Sequence, residues 1–330
     1  MLKAAFKKSS LKLVKLALGC LSCSRQTDLL VVKYHSNGYY RGYRRQRHEQ
    51  LVTMLHFIAL HCDVSEECIS YILNLDPMKA NLHEITLRLD SKGDTALHLA
   101  ALVGNVRFLN QLLALIEDSH NLSEFVIANR NKKSETAFHV AAKKGQLQVF
   151  DCLFKACIDN ADSILSVDEN GQSLVHVACR NLETLQYIID LYPVSLQKTM
   201  ILMQDNSGNT PVHLAAYGRP AIAQMRYMLC CLEPKDKIAL LCMPNKTGHN
   251  PVHLASYRGT RQFVGILDEL GNAAEIVRCL NTRSNEGNSP LMRALCNCDV
   301  LALTELLSLF REPSLMALHC YPKGLKSQIS

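Results

Sequence analysis

The chain contains 330 residues with a mass of 36.9 kDa, a size that suits two compact domains or one elongated domain of repeats. Hydrophobic residues make up 48% and charged residues 20%, which excludes a disordered or collagen-like chain. No apolar run approaches the ~18 residues of a membrane-spanning helix, so an integral membrane protein is excluded as well. The 14 cysteines lie scattered through apolar helical patterns with no signal peptide before them. We therefore expect reduced thiols that serve as small core residues.

Positive charge is concentrated near the N-terminus. Residues 1–48 carry eleven Lys or Arg and one acid, Asp28, which gives 11 − 1 = +10. Residues 49–330 carry 25 basic and 29 acidic residues, which gives 25 − 29 = −4. We therefore separate a basic N-terminal arm, residues 1–50, from the body of the chain. Such an arm favours an anionic partner and leaves open a membrane surface, a nucleic acid or an acidic protein.

The arm has three features whose interpretation stays open. Residues 1–21 contain no acid and are moderately amphipathic, which suits a membrane-surface helix, a mitochondrial-type presequence or an extension that docks on the body. Cys20 and Cys23 follow this segment, and we favour ordinary thiols over reversible acylation. Residues 40–48 form a Tyr/Arg run that suits nuclear import or RNA contact, although short basic runs are more often merely solvated.

A repeat occupies the chain from about residue 50 onward. Its helix-start string occurs in five well-formed copies: TALHLAA at 95–101, TAFHVAA at 136–142, SLVHVAC at 173–179, TPVHLAA at 210–216 and NPVHLAS at 250–256. Weaker copies are TMLHFIA at 53–59 and SPLMRAL at 289–295. Successive copies begin 37 to 42 residues apart.

The positions of the repeat have physical reasons. An Asp, Asn or Ser lies five residues before most copies, and a Gly lies two residues before five of them. This spacing predicts a tight turn, because Gly accepts the positive φ that such a turn requires. The opening Thr, Ser or Asn is typical of a helix N-cap. Gly104, Gly145 and Gly259 indicate the end of a first helix, and an apolar-periodic second helix follows.

These residues resemble the ankyrin repeat over about residues 51–311. The resemblance implies an all-α fold, an ankyrin-repeat solenoid of about seven helix pairs with projecting β-hairpin fingers, and leaves residues 312–330 as a C-terminal cap or tail. The family's usual period is ~33 residues, and the surplus here falls late in each unit, for example at 117–123 and 234–237. We expect this surplus to form longer outer helices and longer loops between repeats.

Five well-formed repeats each place one histidine at the same helical position. So many histidines suggest a metal or catalytic site, but their regular spacing of about 40 residues favours a structural role. In the ankyrin family this side chain hydrogen-bonds the opening Thr and a backbone carbonyl of the next unit. The resemblance assigns that role to His98, His139, His176, His213 and His253.

Catalytic motifs are missing from the sequence. It has no Gly-rich phosphate loop, nucleophile elbow or zinc-protease motif, and its close Cys pairs lack the second pair that a zinc site needs. We expect a chain that is not an enzyme, with no catalytic residues, no metal, no cofactor and no small-molecule substrate.

The resemblance also implies a partner-binding surface, because in ankyrin proteins the two residues after the Ala pair face the concave groove. Those positions here hold Leu102, Val103, Lys143, Lys144, Tyr217, Tyr257 and Arg258. Our hypothesis is that Tyr217, Tyr257 and Arg258 form one recognition patch, since Tyr and Arg are enriched at binding hot spots. Lys143 and Lys144 would steer an acidic partner edge. The alternative is that longer loops cover these side chains, which would then belong to the core.

We therefore predict a protein–protein interaction module, an adaptor, scaffold or inhibitor of the cytoplasm or nucleus. The chain also resembles the inhibitors of NF-κB-type transcription factors, although those usually carry acidic flanks. A further alternative is an ankyrin effector or adaptor that the basic arm targets to a membrane, a mitochondrion or the nucleus. Residues 312–320 resemble the start of a SOCS box, which would imply a ubiquitin-ligase adaptor, but the missing second half favours a capping helix.

Overall fold

The computed structural model describes residues 31–34, 50–75, 82–117, 122–157, 166–217, 222–256, 266, 273–290 and 292–293. The chain divides into two units, Met1–Tyr187 and Ile188–Ser330. Several features of the sequence lie outside the described residues: segments 1–21 and 40–48 of the arm, Cys20, Cys23, Gly259 and residues 312–330.

The first unit begins with a pair of antiparallel strands, β1 (Val31–Tyr34) and β2 (Gln50–Thr53). In their register Val31 lies opposite Thr53, and Tyr34 lies opposite Gln50. Since β1 belongs to the segment that we assigned to the arm and β2 leads directly into the first helix, the pairing joins the end of the arm to the start of the repeats.

The helices of the first unit occur in inner and outer pairs, the inner helix being the one that starts at the repeated string. They are α1 (Met54–Leu60), α2 (Glu66–Leu73), α3 (Leu82–Leu87), α4 (Ala96–Val103), α5 (Val106–Glu117), α6 (Leu122–Ala128), α7 (Ala137–Lys144), α8 (Leu147–Ala156), α9 (Leu174–Ala178) and α10 (Leu182–Asp190), whose C-terminal end belongs to the second unit. The inner helices α1, α4, α7 and α9 pack against one another in chain order, as do the outer helices α2, α5 and α8.

The inner helices can approach closely because their central residues are small. Ala100, Ala101, Ala141 and Ala142 are all buried. Larger apolar side chains fill the space between inner and outer helices: the rings of Phe138 and Phe150, for example, meet edge to face with centroids 5.3 Å apart. This geometry is the one that aromatic pairs prefer in a close-packed core.

The second unit repeats the arrangement with α11 (Val194–Leu202), α12 (Pro211–Tyr217), α13 (Ile222–Cys230), α14 (Pro234–Cys242), α15 (Pro251–Ser256) and α16 (Ala273–Asn281). The inner helices α12 and α15 pack against each other, and α13 packs against α12. No helix among the described residues of either unit is long and apolar enough to cross a membrane.

Within the described residues four repeats show a third helix, which corrects our expectation for the surplus residues. We expected longer outer helices and loops, whereas α3, α6, α11 and α14 follow the helix pairs as separate elements. The stretch at 234–237 looks like a loop in the sequence because it opens on a proline. Pro234 instead occupies the first turn of α14, where its missing N–H leaves no helical hydrogen bond unmade, and Asp236 beside it suits the positive end of the helix dipole.

Each finger is a tight turn closed by two backbone hydrogen bonds. In Asp90–Asp94 the Asp90 N–H donates to the carbonyl of Asp94 at 2.9 Å, and the Gly93 N–H donates to that of Asp90 at 3.0 Å. The same pattern recurs in the fingers at 131–135, 168–172, 205–209, 245–249 and 284–288. The described fingers contain this turn and no assigned strand, so of the expected β-hairpins only the turn is observed.

One cysteine pair departs from the reduced state that we expected. Cys242 at the end of α14 and Cys279 in α16 form a disulfide. The other described cysteines are in the thiol form: Cys62, Cys68, Cys152, Cys157, Cys179, Cys230 and Cys231. The sequence could not indicate the bond, because the two residues lie 37 positions apart in different repeats and meet only when the repeats stack.

Candidate protein-binding surface

The histidines of the repeated string hold the start of each inner helix. The hydroxyl oxygens of Thr95, Thr136, Ser173 and Thr210 each lie 2.8 Å from Nδ1 of the histidine three residues later, and the Asn250 N–H donates to Nδ1 of His253 at 3.2 Å. At His213 the Thr210 N–H also donates to Nδ1, at 3.1 Å. A nitrogen that accepts a hydrogen bond carries no proton, so the neutral ring has its proton on Nε2.

The second ring nitrogen joins one repeat to the next. Nε2 of His98 lies 2.9 Å from the carbonyl oxygen of Glu135, and Nε2 of His253 lies 3.1 Å from that of Asn288. His56, which the sequence places in a weaker copy of the string and to which we assigned no role, makes the same contact with Asp94 at 3.1 Å. These bonds support the structural role. At His139 the equivalent partner is the backbone of Gln172, although the buried Nε2 falls short of full hydrogen-bond geometry with it.

Burial favours the neutral form of four of these rings. It lowers the pKa of His139 and of His253 from 6.5 to about 4, and it lowers the pKa of His56 and His98 in the same direction. Desolvation acts this way because it penalises the charged imidazolium. Among the described residues, no group of three or more His, Cys, Asp or Glu side chains could hold a metal ion.

The proposed binding residues of the first unit lie at the C-terminal ends of two adjacent inner helices. Leu102 and Val103 end α4 and are half-buried, whereas Lys143 and Lys144 end α7 and are exposed. Since α4 packs against α7, the structure brings the apolar pair and the basic pair together on neighbouring helices.

In the second unit Tyr217 ends α12 and its side chain is 52% exposed. Tyr257 and Arg258 lie outside the described residues, so the patch that we expected them to form with Tyr217 stays a prediction. The helix ends therefore present an exposed aromatic side chain in one unit and exposed cations in the other.

Lys143 also contacts the finger before its own helix. Its Nζ lies 2.7 Å from Glu135 Oε1. Burial by itself would raise the pKa of Glu135, but hydrogen bonds from Lys143 and Asn131 outweigh it and hold the pKa of that carboxyl below its usual value. The end of α7 and the finger at 131–135 therefore face the same side of the repeat.

Sequence reasoning missed the charged residues of the fingers. Lys92 is exposed on the finger at 90–94, and Lys132 and Lys133 are exposed on the next finger. Their signal was present in the sequence, since they occupy the second and third positions of the turn motif. We read that motif only for its turn-forming residues.

A match to a family model agrees with the helical repeats described above. The family model described as ankyrin repeats (three copies) matches residues 55–163 and 138–235, more than half of the chain. The chain therefore belongs to the ankyrin-repeat family.

Two relatives and one solved structure show the extent of the likeness. The chain is 28% identical over 162 residues to the nuclear factor NF-kappa-B p100 subunit of Xenopus laevis, a match that covers 48% of this chain and 16% of that protein. It is 24% identical over 141 residues to the B-cell lymphoma 3 protein homolog of Mus musculus, covering 42% of this chain and 29% of that protein. The match thus spans less than a third of either relative.

The structural comparison concerns the crystal structure of the ankyrin repeat domain of Bcl-3, a protein described as a unique member of the IkappaB protein family. The TM-score is 0.54 at 16% sequence identity, and the match covers 77% of this chain and 98% of that domain. At this identity the likeness shows the fold, an ankyrin-repeat solenoid, and nothing finer.

Proposed function

We propose that this chain is a non-catalytic protein-binding module that holds its partner on the finger tips and the C-terminal ends of the inner helices. The observation that carries the proposal is that these positions present exposed side chains whose identity differs between repeats that share the same fold. Lys144 is exposed one residue before the helix-ending Gly145, and Tyr217 is 52% exposed at a position that holds Leu102 and Lys143 in the first unit.

Tyr217 is the side chain of this surface best suited to a hot spot. An exposed tyrosine offers a large rigid contact area and a polar hydroxyl group. At protein interfaces, replacing such residues with alanine often removes much of the binding free energy. Tyr257 and Arg258 occupy the corresponding positions one repeat later in the sequence. They therefore stay in the proposal as partners of Tyr217, and Leu102 and Val103 stay in it as apolar contacts.

A second candidate is an inhibitor of a transcription factor, similar to the IκB proteins. It is favoured by the comparisons, since p100 is named as a subunit of nuclear factor NF-kappa-B and Bcl-3 as a member of the IkappaB family. This candidate adds a partner class and a nuclear address to the first. The address depends on the arm, for which nuclear, membrane-peripheral and mitochondrial targeting all stay open.

Partner capture by a tagged full-length chain tests the first candidate. Tyr217→Ala should weaken capture by at least ~2 kcal/mol, equivalent to roughly thirtyfold in affinity, and should leave the melting temperature almost unchanged. Val194→Ala is the matched control, because Val194 is 71% exposed on α11 and not on an inner helix. Equal losses in the two variants, or a loss of stability in Tyr217→Ala with normal binding, would contradict the proposed surface.

Two further measurements separate the alternatives. Binding of a purified NF-kappa-B dimer to the full-length chain tests the inhibitor candidate, which fails if the dimer is not bound. Comparing the cellular location of the full-length chain with that of a chain starting at residue 50 tests the arm. An unchanged location would remove the targeting role of the arm without affecting the protein-binding proposal.

A further inference from the structure

Five lysines cluster on the fingers and inner-helix ends of the first unit. They are all exposed, and we call them the basic surface: Lys92, Lys132, Lys133, Lys143 and Lys144. They come from two successive fingers and from the helix that follows the second of them, so nothing in the linear sequence marks them as one group.

Contacts between the elements show that the basic surface is continuous. Lys132 Nζ donates to the carbonyl oxygen of Ser91 at 2.9 Å, which places it against the preceding finger beside Lys92. Lys143 Nζ lies 2.7 Å from Glu135 Oε1, which ties the end of α7 to the finger that carries Lys132 and Lys133.

The acids of the same fingers are turned inward. Asp90 Oδ1 accepts the N–H groups of Lys92 and Asp94 at 2.8 and 2.9 Å, and Asp94 Oδ1 accepts from Asn131 Nδ2 at 2.8 Å. Glu135 is only 5% exposed. The carboxylates are therefore occupied by the turns and, at Glu135, by Lys143, while all five lysines keep exposed side chains, so positive charge dominates the outside of these fingers.

The fold itself does not require these cations. In the finger at 205–209 of the second unit the positions equivalent to Lys132 and Lys133 hold Asn206 and Ser207, and the position equivalent to Lys143 on the following inner helix holds Tyr217. The same turn closes with the same two backbone hydrogen bonds in both units. Like charges placed together also repel one another, and this repulsion works against folding unless a partner compensates it.

We propose that the basic surface binds an acidic segment of a partner polypeptide in which apolar residues are interspersed. This inference rests on the proposed function and adds the chemistry of the partner. Carboxylates of the segment would pair with the five lysines, and its apolar side chains would contact the half-buried Leu102 and Val103 on the adjacent helix α4. Complementary charge of this kind raises the rate of association and selects among partners.

A polypeptide suits this surface better than a nucleic acid does. The fingers at 90–94 and 131–135 and the helix ends at 102–103 and 143–144 contain no aromatic residue, whereas proteins that bind single strands stack bases on aromatic side chains. Glu169 is exposed on the adjoining finger, and its backbone N–H donates to the carbonyl oxygen of Lys133. Residues 49–330 also carry a balance of −4, which opposes binding to a continuous polyanion.

The test uses the full-length chain and three fluorescein-labelled probes. The first is a synthetic peptide in which pairs of Glu alternate with Leu, the second replaces every Glu with Gln, and the third is an oligothymidylate with as many negative charges as the first. Binding is measured by fluorescence anisotropy at low and at moderate salt, because screening weakens exposed ion pairs.

The variant Lys133→Glu/Lys144→Glu is compared with the control Lys155→Glu/Lys235→Glu, which changes net charge equally through exposed lysines on helices α8 and α14, away from the fingers and the inner-helix ends. The arm is present in both, so a difference between them reports on the basic surface. We expect the first variant to bind the Glu peptide about tenfold or more weakly and the control to stay within about twofold of the unaltered chain.

Three results would overturn the inference: equal losses in the two variants, tight binding of the Gln peptide, or a selective loss of oligothymidylate binding in the first variant, which would identify a nucleic-acid surface. The proposed function stands or falls separately. If Tyr217→Ala abolishes partner capture while Lys133→Glu/Lys144→Glu does not, the protein-binding proposal holds and the acidic partner is wrong.

Discussion

Nε2 of His213 lies 3.0 Å from the carbonyl oxygen of Met243, which belongs to the segment between α14 and the next finger. Since Nδ1 of the same ring accepts the N–H of Thr210, one neutral imidazole holds the start of its own helix and joins two repeats. Both bonds are made by a residue that is fully buried.

Replacing His213 with Ala should lower the free energy of unfolding by about 1–3 kcal/mol, because buried partners lose their hydrogen bonds. Chemical denaturation of the variant and of the unaltered chain measures the difference. A chelator should leave both curves in place. If a chelator reproduces the effect of the substitution, His213 binds a metal and the structural role is wrong.

The position equivalent to the turn glycine gives a second prediction. Ser134 has φ = 56°, a left-handed conformation that Gly93, Gly171, Gly208, Gly248 and Gly287 adopt in the other fingers. Ser134→Gly should stabilise the chain by up to about 1 kcal/mol, since a side chain is strained there, although glycine loses more entropy on folding. A higher melting temperature is the expected readout.

The reverse substitution is the control. Gly208→Ser should be clearly destabilising, because a Cβ at that position would lie 2.8 Å from the backbone nitrogen of Lys246 in the next finger. If Ser134→Gly lowers stability, the hydroxyl of Ser134 contributes more than its backbone strain costs.

Stability should fall as the pH is lowered from about 6.5 towards 4. His139 and His253 have folded-state pKa values of about 4 against an ordinary value of 6.5. In this window the unfolded chain binds protons that the folded chain does not, so acid favours unfolding, and the full contribution is present only above about pH 6.5. NMR titration of the histidine ring protons gives a direct check. Titration of both rings near 6.5 would show that burial does not hold them neutral.

The disulfide gives a prediction for redox conditions. Reduction, or Cys242→Ser, should lower the free energy of unfolding by about 2–4 kcal/mol, since the bond closes a loop across 37 positions and restricts the unfolded chain. Cys230→Ser is the control, because Cys230 is an exposed free thiol. Mass spectrometry of alkylated, unreduced protein measures the bond, and alkylation of both Cys242 and Cys279 would show that it is absent.

The sequence predicted the inner helices well because their information is local. Thr136, for example, caps α7 with its hydroxyl while His139 returns a bond to the Thr136 backbone, and both residues stand within one short string. The third helix α14 was missed because the proline that opens it also suits a loop.

Features that depend on stacking could not be predicted. The partner of Cys242 lies one repeat away. The exposure of charge on the fingers depends on which side chains form hydrogen bonds within and between the turns. Lys92 and Asp94 stand two residues apart, yet one reaches solvent and the other accepts a hydrogen bond from the neighbouring finger.

Site-specific photo-crosslinking tests most directly whether the partner binds the fingers and inner-helix ends. A photoreactive amino acid is placed at Lys144, on inner helix α7, or at Lys155, which is equally exposed on the outer helix α8 of the same repeat. Each variant is then irradiated with the captured partner. We predict a crosslinked product from position 144 and none from position 155. Crosslinking from position 155 alone would show that the partner binds the outer helices and would contradict the proposed surface.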